Sequence, residues 1–414
     1  MGPLGLSSLQ SGYGAIMSDG SYSRFNFAFE STPGTTPTTI AAMYQFPLVR
    51  QSMRHQQPKA QSRIITPSRD IKSIVRLSTG AAGRIETEMM YPVTGDALLQ
   101  AILASLCYET EAAQVSTTTC SIQQGAPTAI TRTGAYDFAA AGWEAGDIAL
   151  LSGAVDAADN KYVLVTAVAL GTLTVEQPDG ADWTQDNSGT ITVKRGARSK
   201  NGTYRRYASC ERLWTDLGKM IGWTGQVFNG MDVNAQIGQI TTVGFDLVGF
   251  GGQSADMDDP SSPYQGFPGT ITYVTETEVP VMEPTGIINV VVDGKSYACN
   301  SLNLRTNNNA RVRSVFGQLG PDAIPVGQFG VSGAFGAYMA MLEPIQLLED
   351  DETFAMWFIM EDGEGRSFGV SMGACKIDDI GVDTDGANSD EIAQANFSAQ
   401  LSDWGETIRV FRFQ

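Results

Sequence analysis

The pattern that most constrains this fold is an alternation of apolar and polar residues that occurs twice in the chain. From Val243 to Leu247 every second residue is apolar, and Gly244 and Asp246 lie between them. Residues 392–401 repeat this alternation. A period of two is typical of a strand that buries one face and exposes the other. The chain is therefore predicted to contain antiparallel sheets with one face in a core and one face in water.

The two alternating stretches belong to a longer repeat. Residues 229–238 resemble residues 372–381 in their order of faces and turns, and residues 84–91 resemble residues 333–340. We interpret the repeat as two related β-rich units in tandem. The alternative is a chance similarity between two β-rich segments.

One segment predicts a helix. Residues 94–106 place Leu98, Ile102 and Leu106 on one apolar stripe that can cover a sheet. Thr94 or Asp96 can accept hydrogen bonds from the first turn. Residues 71–79 and 84–91, which precede the helix, are predicted strands.

Residues 114–200 differ from the rest of the chain in the length and spacing of their apolar runs. Their apolar runs are short, evenly spaced and separated by turn residues, as in a small β-barrel. Because a predicted helix precedes this block and a predicted strand follows it, we interpret it as a domain inserted on a surface loop.

The charge of the chain is strongly negative and unevenly distributed. Forty-five acidic and 27 basic residues give a formal charge of −18, which argues against a protein that holds nucleic acid by neutralising phosphates. Residues 44–76 are basic and residues 349–391 are acidic. Basic residues could therefore dock on the acidic segment of another copy, in a head-to-tail association that builds rings or filaments. The residues predicted to dock one ring on the next are Arg50, Arg54, Lys59, Arg63, Arg69, Glu349, Asp350, Asp351 and Glu352. The alternative is a solvated basic loop.

The sequence offers little for catalysis. Gly369–Gly373 fits the Gly-x-Ser-x-Gly turn of hydrolases, but that turn needs a later histidine, and the single histidine is His55. His55 is most simply an exposed side chain, and Asp383–Glu391 is favoured as an acidic turn over a calcium loop. We therefore predict no enzyme, no metal and no cofactor.

Compartment signals are few. The five cysteines are odd in number and scattered, which predicts neither a disulfide framework nor a zinc site. We expect no signal peptide and no membrane span, and a protein made in a reducing cytoplasm.

Several soft motifs together resemble the tail tube, or major tail, proteins of long-tailed bacteriophages. They are Glu30–Pro37, Gly83–Cys107, Ala145–Asp147, Thr172–Val175, Lys200–Arg206, Phe228–Gly230 and Ser301–Asn309. The resemblance covers nearly the whole chain. It rests on the pattern of strands and turns and includes no chemically invariant motif.

The resemblance implies an all-β dominated fold with minor helix, made of tandem β-sandwiches, each flanked by a helix, plus the inserted barrel. Its domains would be an N-terminal extended arm (1–43), a first sandwich (44–113 and 201–250), the insert (114–200), a linker (251–285) and a second sandwich with the C-terminal tail (286–414).

The resemblance also implies a structural virion protein that forms stacked rings and a hollow tail tube for DNA ejection. Three copies would close a pseudo-sixfold ring, with tape measure, tail terminator and distal tail proteins as partners. The expected lumen residues, which meet passing DNA only transiently, are Thr242, Asp246, Gln394, Asn396, Ser398 and Gln400. The alternative is a baseplate or adhesin-type tail protein whose insert binds a host receptor or glycan.

Overall fold

The structure is a computed structural model, and it describes residues 20–37, 43–65, 70–108, 110–125, 128–134, 136–176, 183–256, 273–274, 287–338, 343–383 and 390–414. Within these ranges the chain is mostly β-strand. The helices in the described ranges are α1 (Ala97–Ser105) and α2 (Glu343–Glu349), with short 3-10 turns at Gly20–Tyr22 and Ala157–Asp159. No α-helix in the described ranges is both long and apolar enough to cross a membrane.

The strands before the barrel are β1 (Ser23–Phe29), β2 (Met43–Phe46), β3 (Arg50–Gln51), β4 (Arg54–Gln56), β5 (Lys59–Gln61), β6 (Ile74–Arg76) and β7 (Gly80–Glu88). The barrel strands are β8 (Val115–Gln123), β9 (Thr128–Arg132), β10 (Ile148–Ser152), β11 (Tyr162–Ala169), β12 (Thr172–Val175) and β13 (Asp186–Arg195).

The strands after the barrel are β14 (Ala197–Lys200), β15 (Ala208–Trp214), β16 (Lys219–Gln236), β17 (Thr242–Gly249), β18 (Gly251–Asp256), β19 (Tyr273–Val274), β20 (Ile287–Val292), β21 (Lys295–Tyr297), β22 (Cys299–Asn307), β23 (Gly330–Tyr338), β24 (Phe354–Glu361), β25 (Ser367–Asp383), β26 (Ile392–Ala399) and β27 (Arg409–Phe413).

Two long strands connect the layers of the body. The first half of β16 pairs with β15 and β18, and its second half pairs with β17 and β22. β25 behaves in the same way, since its first half pairs with β24 and β27 and its second half with β26. The two layers enclose one hydrophobic core, which contains Phe245 of β17 and Phe397 of β26.

Helix α1 begins where the sequence predicts. The Asp96 carboxylate accepts hydrogen bonds from the backbone N–H groups of Leu99 (2.7 Å) and Val93 (2.6 Å), which confirms one of the two proposed caps. Burial raises the pKa of Asp96 to about 6. Leu98 and Ile102 lie in the body core, as the apolar stripe predicts.

The predicted small barrel is present. Six antiparallel strands close in the order β8, β9, β12, β11, β10, β13, and they enclose a core that includes Trp143 and Trp183. Closure leaves this domain without exposed strand edges. The strands span Val115 to Arg195, and the wider division of the chain into domains stays a prediction.

The barrel is packed firmly against the body. Ile148 and Leu164 of the barrel share an apolar cluster with Trp357 and Phe411 of the body. Glu176 accepts a hydrogen bond from the indole Nε1 of Trp357 at 3.0 Å, and burial raises the pKa of this carboxyl. The insert is therefore fixed to the body over a packed surface.

Buried charges join the same two parts. The Asp147 carboxylate of the barrel is fully buried and accepts hydrogen bonds from Arg198 (2.8 Å) and from Arg409 of β27 (2.9 Å). The backbone N–H of Glu144 donates to it at 2.8 Å. A buried ion pair of this kind is costly to break, because removing one partner leaves the other charge in a low-dielectric site.

Two predicted segments contain more structure than expected. Residues 1–43 are predicted to be an extended arm, yet β1 within them pairs with β15 and β2 and places Phe25 and Phe27 in the core of its own chain. The aromatic residues of β1 supply the apolar surface for this packing, which the average composition of the whole segment does not reveal. The predicted linker begins at residue 251, yet β18 pairs with β16, where Gly252 lies against the Trp223 ring.

The buried ions give a stability test. We expect Asp147→Ala to lower the free energy of unfolding by about 3–5 kcal/mol, because it leaves two buried guanidinium groups without their shared carboxylate. The matched control is Asp322→Ala, which breaks an exposed pair with Arg313 and should cost less than about 1 kcal/mol. Urea denaturation of the unassembled chain measures both, and equal losses would contradict the proposed role of Asp147.

Candidate functional site

Eight strand positions form one continuous antiparallel sheet across the body. Residues 49–56, which contain β3 and β4, run along β7, and the order continues through β17, β16, β22, β23 and β26 to the second half of β25. We call this the long sheet. It contains strands from both predicted units, and the β16–β22 pairing joins them.

One face of the long sheet is buried and the other is polar. Val243, Phe245 and Phe397 point into the core. Their neighbours along each strand lie on the opposite face, where Asn234 and Asn396 are exposed. One row of register partners across this polar face reads Glu88, Thr242, Asn234, Asn303, Ala334, Asn396 and Asp379.

The polar face unites the predicted lumen residues. Thr242 and Asp246 lie on it in β17, and Gln394, Asn396 and Ser398 lie on it in β26. Gln400 follows the end of β26 and is exposed. Residues about 150 positions apart in sequence therefore share one surface, although their place in a lumen stays a prediction.

Carboxylates lie beside the two arginines of the inner strands of this face. The Arg84 guanidinium lies 3.1 Å from Asp232, 3.6 Å from Glu86 and 3.8 Å from Asp246. Arg305 lies 3.5 Å from Asp246. The positive charges of Arg84 and Arg305 are thus offset locally, and little of their field is left for an approaching anion.

Acidic residues outnumber basic ones on this face. In the described part of the long sheet the acids on or beside it are Glu86, Glu88, Asp232, Asp246, Asp378 and Asp379, and the bases on it are Arg50, Arg54, Arg84, Arg305 and Lys376. The acids exceed the bases by one, and a face with a net negative charge does not attract a polyanion such as DNA.

A glycine makes room for the central arginine. A Cβ atom at Gly244 would lie 2.3 Å from a terminal nitrogen of Arg84. Gly244 therefore lets the guanidinium lie flat across β17 towards Asp232. The alternation in the sequence predicts the polar face, but it gives no sign of this ion cluster, because Arg84, Asp232 and Asp246 come from three strands.

The predicted basic docking residues are divided between two places. Arg50 and Arg54 lie on the outermost strand of the long sheet, and both are exposed. Lys59 lies in β5, and the exposed Arg63 follows it in the hairpin formed with β6. Arg69 lies outside the described residues.

The predicted acidic docking residues lie near the opposite edge of the long sheet. Glu349 ends α2, which packs on β25, and Asp350, Asp351 and Glu352 follow it in exposed positions. Lys376 of β25 lies 2.7 Å from the Asp351 carboxylate. In the described part of the chain no ion pair joins the basic set to this acidic set.

Sequence reasoning missed the exposed apolar surface of the β5–β6 hairpin. This two-stranded sheet is separate from the long sheet. Ile65 is 96% exposed, and Ile74 and Val75 are more than half exposed. The signal was available, because residues 64–77 contain several apolar side chains among the basic ones. Such an exposed apolar surface is typical of a contact between molecules.

The catalytic alternatives do not gain support from the geometry. Ser371 is buried inside β25 and donates a hydrogen bond to the Gly146 carbonyl at 2.9 Å, so it does not occupy an exposed turn. His55 is exposed, as predicted, and its Nδ1 accepts from the backbone N–H of Gly252 at 3.0 Å. Residues 384–389 of the acidic segment lie outside the described residues. Among the described residues no cluster of potential ligands could hold a metal ion, and no disulfide joins any of the five cysteines, all of which lie in the described ranges.

Comparison with known protein families identifies a match. A family model described as phage tail tube protein matches residues 20–399, which is nearly the whole chain. No curated protein matches the sequence.

The two faces of the long sheet can be tested in the unassembled chain. We expect Asn396→Cys to react readily with a thiol reagent, because this position is exposed on the polar face. Ala395→Cys is the matched control, since Ala395 is fully buried, and it should react roughly a hundredfold more slowly because labelling requires local opening. Wild-type protein measures the background from the native thiols. Similar rates at the two positions would contradict the assigned faces.

Proposed function

Because this chain belongs to the phage tail tube protein family, we propose that its copies join into closed rings, and that the rings stack into the hollow tube through which phage DNA is ejected. Membership of the family makes the chain a structural component of the virion that assembles with itself and with other tail proteins. The ring, the stack and the conduit are our proposal for how it does so.

The observation that carries the proposal is the long sheet. It buries one face in the core of its own chain, exposes a polar face, and ends in strands that pair with a described strand on one side only. Open strand edges are normally covered or paired, because their backbone groups otherwise bind any passing strand. Pairing with identical neighbours would cover both edges and curve the sheet into a ring.

In this ring the polar face would line the lumen. Its excess of carboxylates and its locally engaged arginines would keep DNA from binding, so that the DNA slides through. Thr242, Asp246, Gln394, Asn396, Ser398 and Gln400 are the residues that we propose as lumen residues.

We propose that three copies close each ring. With two similar units per copy, such a ring has six units and pseudo-sixfold symmetry. We propose that successive rings meet through the β5–β6 hairpin, whose basic Lys59 and Arg63 could reach the acidic residues 349–352 of another copy. Tape measure, tail terminator and distal tail proteins are proposed as the further partners, and the barrel is proposed to lie on the outside.

Electron microscopy of the purified protein tests the proposal. We expect negatively stained samples to contain long polymers of uniform width with a stain-filled centre. Small closed oligomers without polymers would favour the receptor-binding alternative, and a monomer at all concentrations would refute self-assembly.

The position of the polar face in the polymer gives a further prediction. Asn396→Cys should react with a maleimide on a large polymer in the unassembled chain and lose that reactivity in intact tubes, because the reagent cannot enter the lumen. Val155→Cys is the matched control, since Val155 is 76% exposed on the barrel, and it should react in both states. Undiminished labelling of the Asn396→Cys tube would place this face outside the lumen.

A further inference from the structure

We infer that the ring closes by antiparallel pairing between residues 49–56 of one copy and the second half of β25, Lys376–Asp383, of the next copy. This inference rests on the proposed ring and names its contact. The argument comes from a junction of the same kind that already exists inside each chain.

The long sheet is made of two four-stranded halves with the same order. In the first half, residues 49–56 are followed by β7, β17 and β16, and in the second half β22 is followed by β23, β26 and β25. β7 and β23 each have nine residues, and β17 and β26 each have eight. Each half also has a helix after its second strand, namely α1 and α2.

The two halves agree in register as well as in order. The fifth residue of β7 pairs with the fifth residue of β17, and the same positions pair in β23 and β26. Both β16 and β25 carry a bulge beside that fifth position. Gly83 and Gly333 are both fourth in their strands, and a Cβ atom at either would collide with the neighbouring backbone.

The junction between the two halves therefore shows how two copies could be joined. Inside the chain, the last strand of the first half, β16, pairs antiparallel with the first strand of the second half, β22. Between copies, the last strand of the second half is β25, and the first strand of the first half is residues 49–56. If neighbouring copies repeat the geometry of the β16–β22 pairing, these two edges pair with each other.

The direction of the strands also fits. All neighbours in the long sheet are antiparallel, and the sheet has eight strand positions. Because eight is even, its first and last strands run in opposite directions. A rotated copy therefore presents an antiparallel partner, and the alternation continues across the junction.

The β16–β22 pairing also predicts the register of the contact. Arg54 is equivalent to Arg305, because each pairs with the third residue of the following strand. Arg305 pairs with Asp232 of β16, and the equivalent position in β25 is Gly381. We therefore assign Arg54 of one copy opposite Gly381 of the next copy, with Asp379 as a diagonal neighbour within reach of the arginine.

The charges of the two edges are complementary. Arg50 and Arg54 share the polar face with their partners on β7, and both are exposed. Asp378 and Asp379 are exposed at the opposite edge. Opposite charges at the two ends of one sheet favour head-to-tail contact and disfavour pairing of like edges. Arg50 and Arg54 thus act within a ring, whereas Lys59 and Arg63 remain candidates for contacts between rings.

Charge reversal tests the edges. We expect the pair Arg50→Glu and Arg54→Glu to reduce the polymerised fraction roughly tenfold or more, and the pair Asp378→Lys and Asp379→Lys to do the same. Combining all four changes in one chain should restore assembly, because the junction again joins opposite charges. Arg24→Glu with Arg311→Glu is the matched control of equal charge change, because both side chains are exposed and lie outside the long sheet, and it should leave the polymerised fraction unchanged. Circular dichroism should show that every variant is folded.

A disulfide tests the register directly. Arg54→Cys and Gly381→Cys lie at opposite edges of one chain, so a bond between them forms only between copies. Oxidation should give a ladder of covalent species that ends at the number of copies in the ring. Lys59→Cys with Gly381→Cys is the control and should give no ladder.

The results separate this inference from the proposed function. If wild-type protein forms tubes but the ladder is absent and the reversals assemble normally, the edge pairing is wrong and the tube stands. If wild-type protein forms no tubes, oxidation of the double-cysteine variant in solution still tests the edge pairing. A ladder of covalent species would support the pairing in a smaller ring. The absence of a ladder would overturn it.

Discussion

The structure depends on one constraint, which is that a β-sheet must satisfy the hydrogen bonds of its outermost strands. The inserted barrel meets this constraint by closing on itself. The long sheet of the body does not close within the chain, because residues 49–56 and the second half of β25 each pair with a described strand on one side only. The barrel thus satisfies its strands within one domain, whereas the long sheet has two edges at which another molecule could pair.

A sheet that pairs with neighbouring copies, as we propose, must also be rigid. β16 and β25 provide this rigidity by running from one layer of the body into the other, so that neither layer can slide without breaking both. The barrel adds to this stiffness through the buried contacts of Asp147 with Arg198 and Arg409. An edge that is held in a fixed position loses little further entropy on pairing, which favours association.

We propose two distinct roles for the electrostatics of the chain in the assembled tube. On the polar face, carboxylates surround Arg84 and leave a net negative surface that suits the passage of a polyanion. At the two ends of the sheet the charges are separated, with Arg50 and Arg54 at one edge and Asp378 and Asp379 at the other. A net charge alone describes neither role, because both depend on where the sheet places each residue.

The sequence by itself determined the local pattern. The period of two placed Val243 and Phe245 in the core and Asp246 on the polar face, the cap of α1 was readable at Asp96, and the even spacing of short apolar runs indicated the barrel. These features are local, so neighbouring residues specify them. Only the tertiary structure decided that Arg84, Asp232 and Asp246 meet, that both halves share one sheet, and that basic and acidic residues stand at its opposite edges. Such contacts join residues far apart in the chain, and no local period records which strands become neighbours.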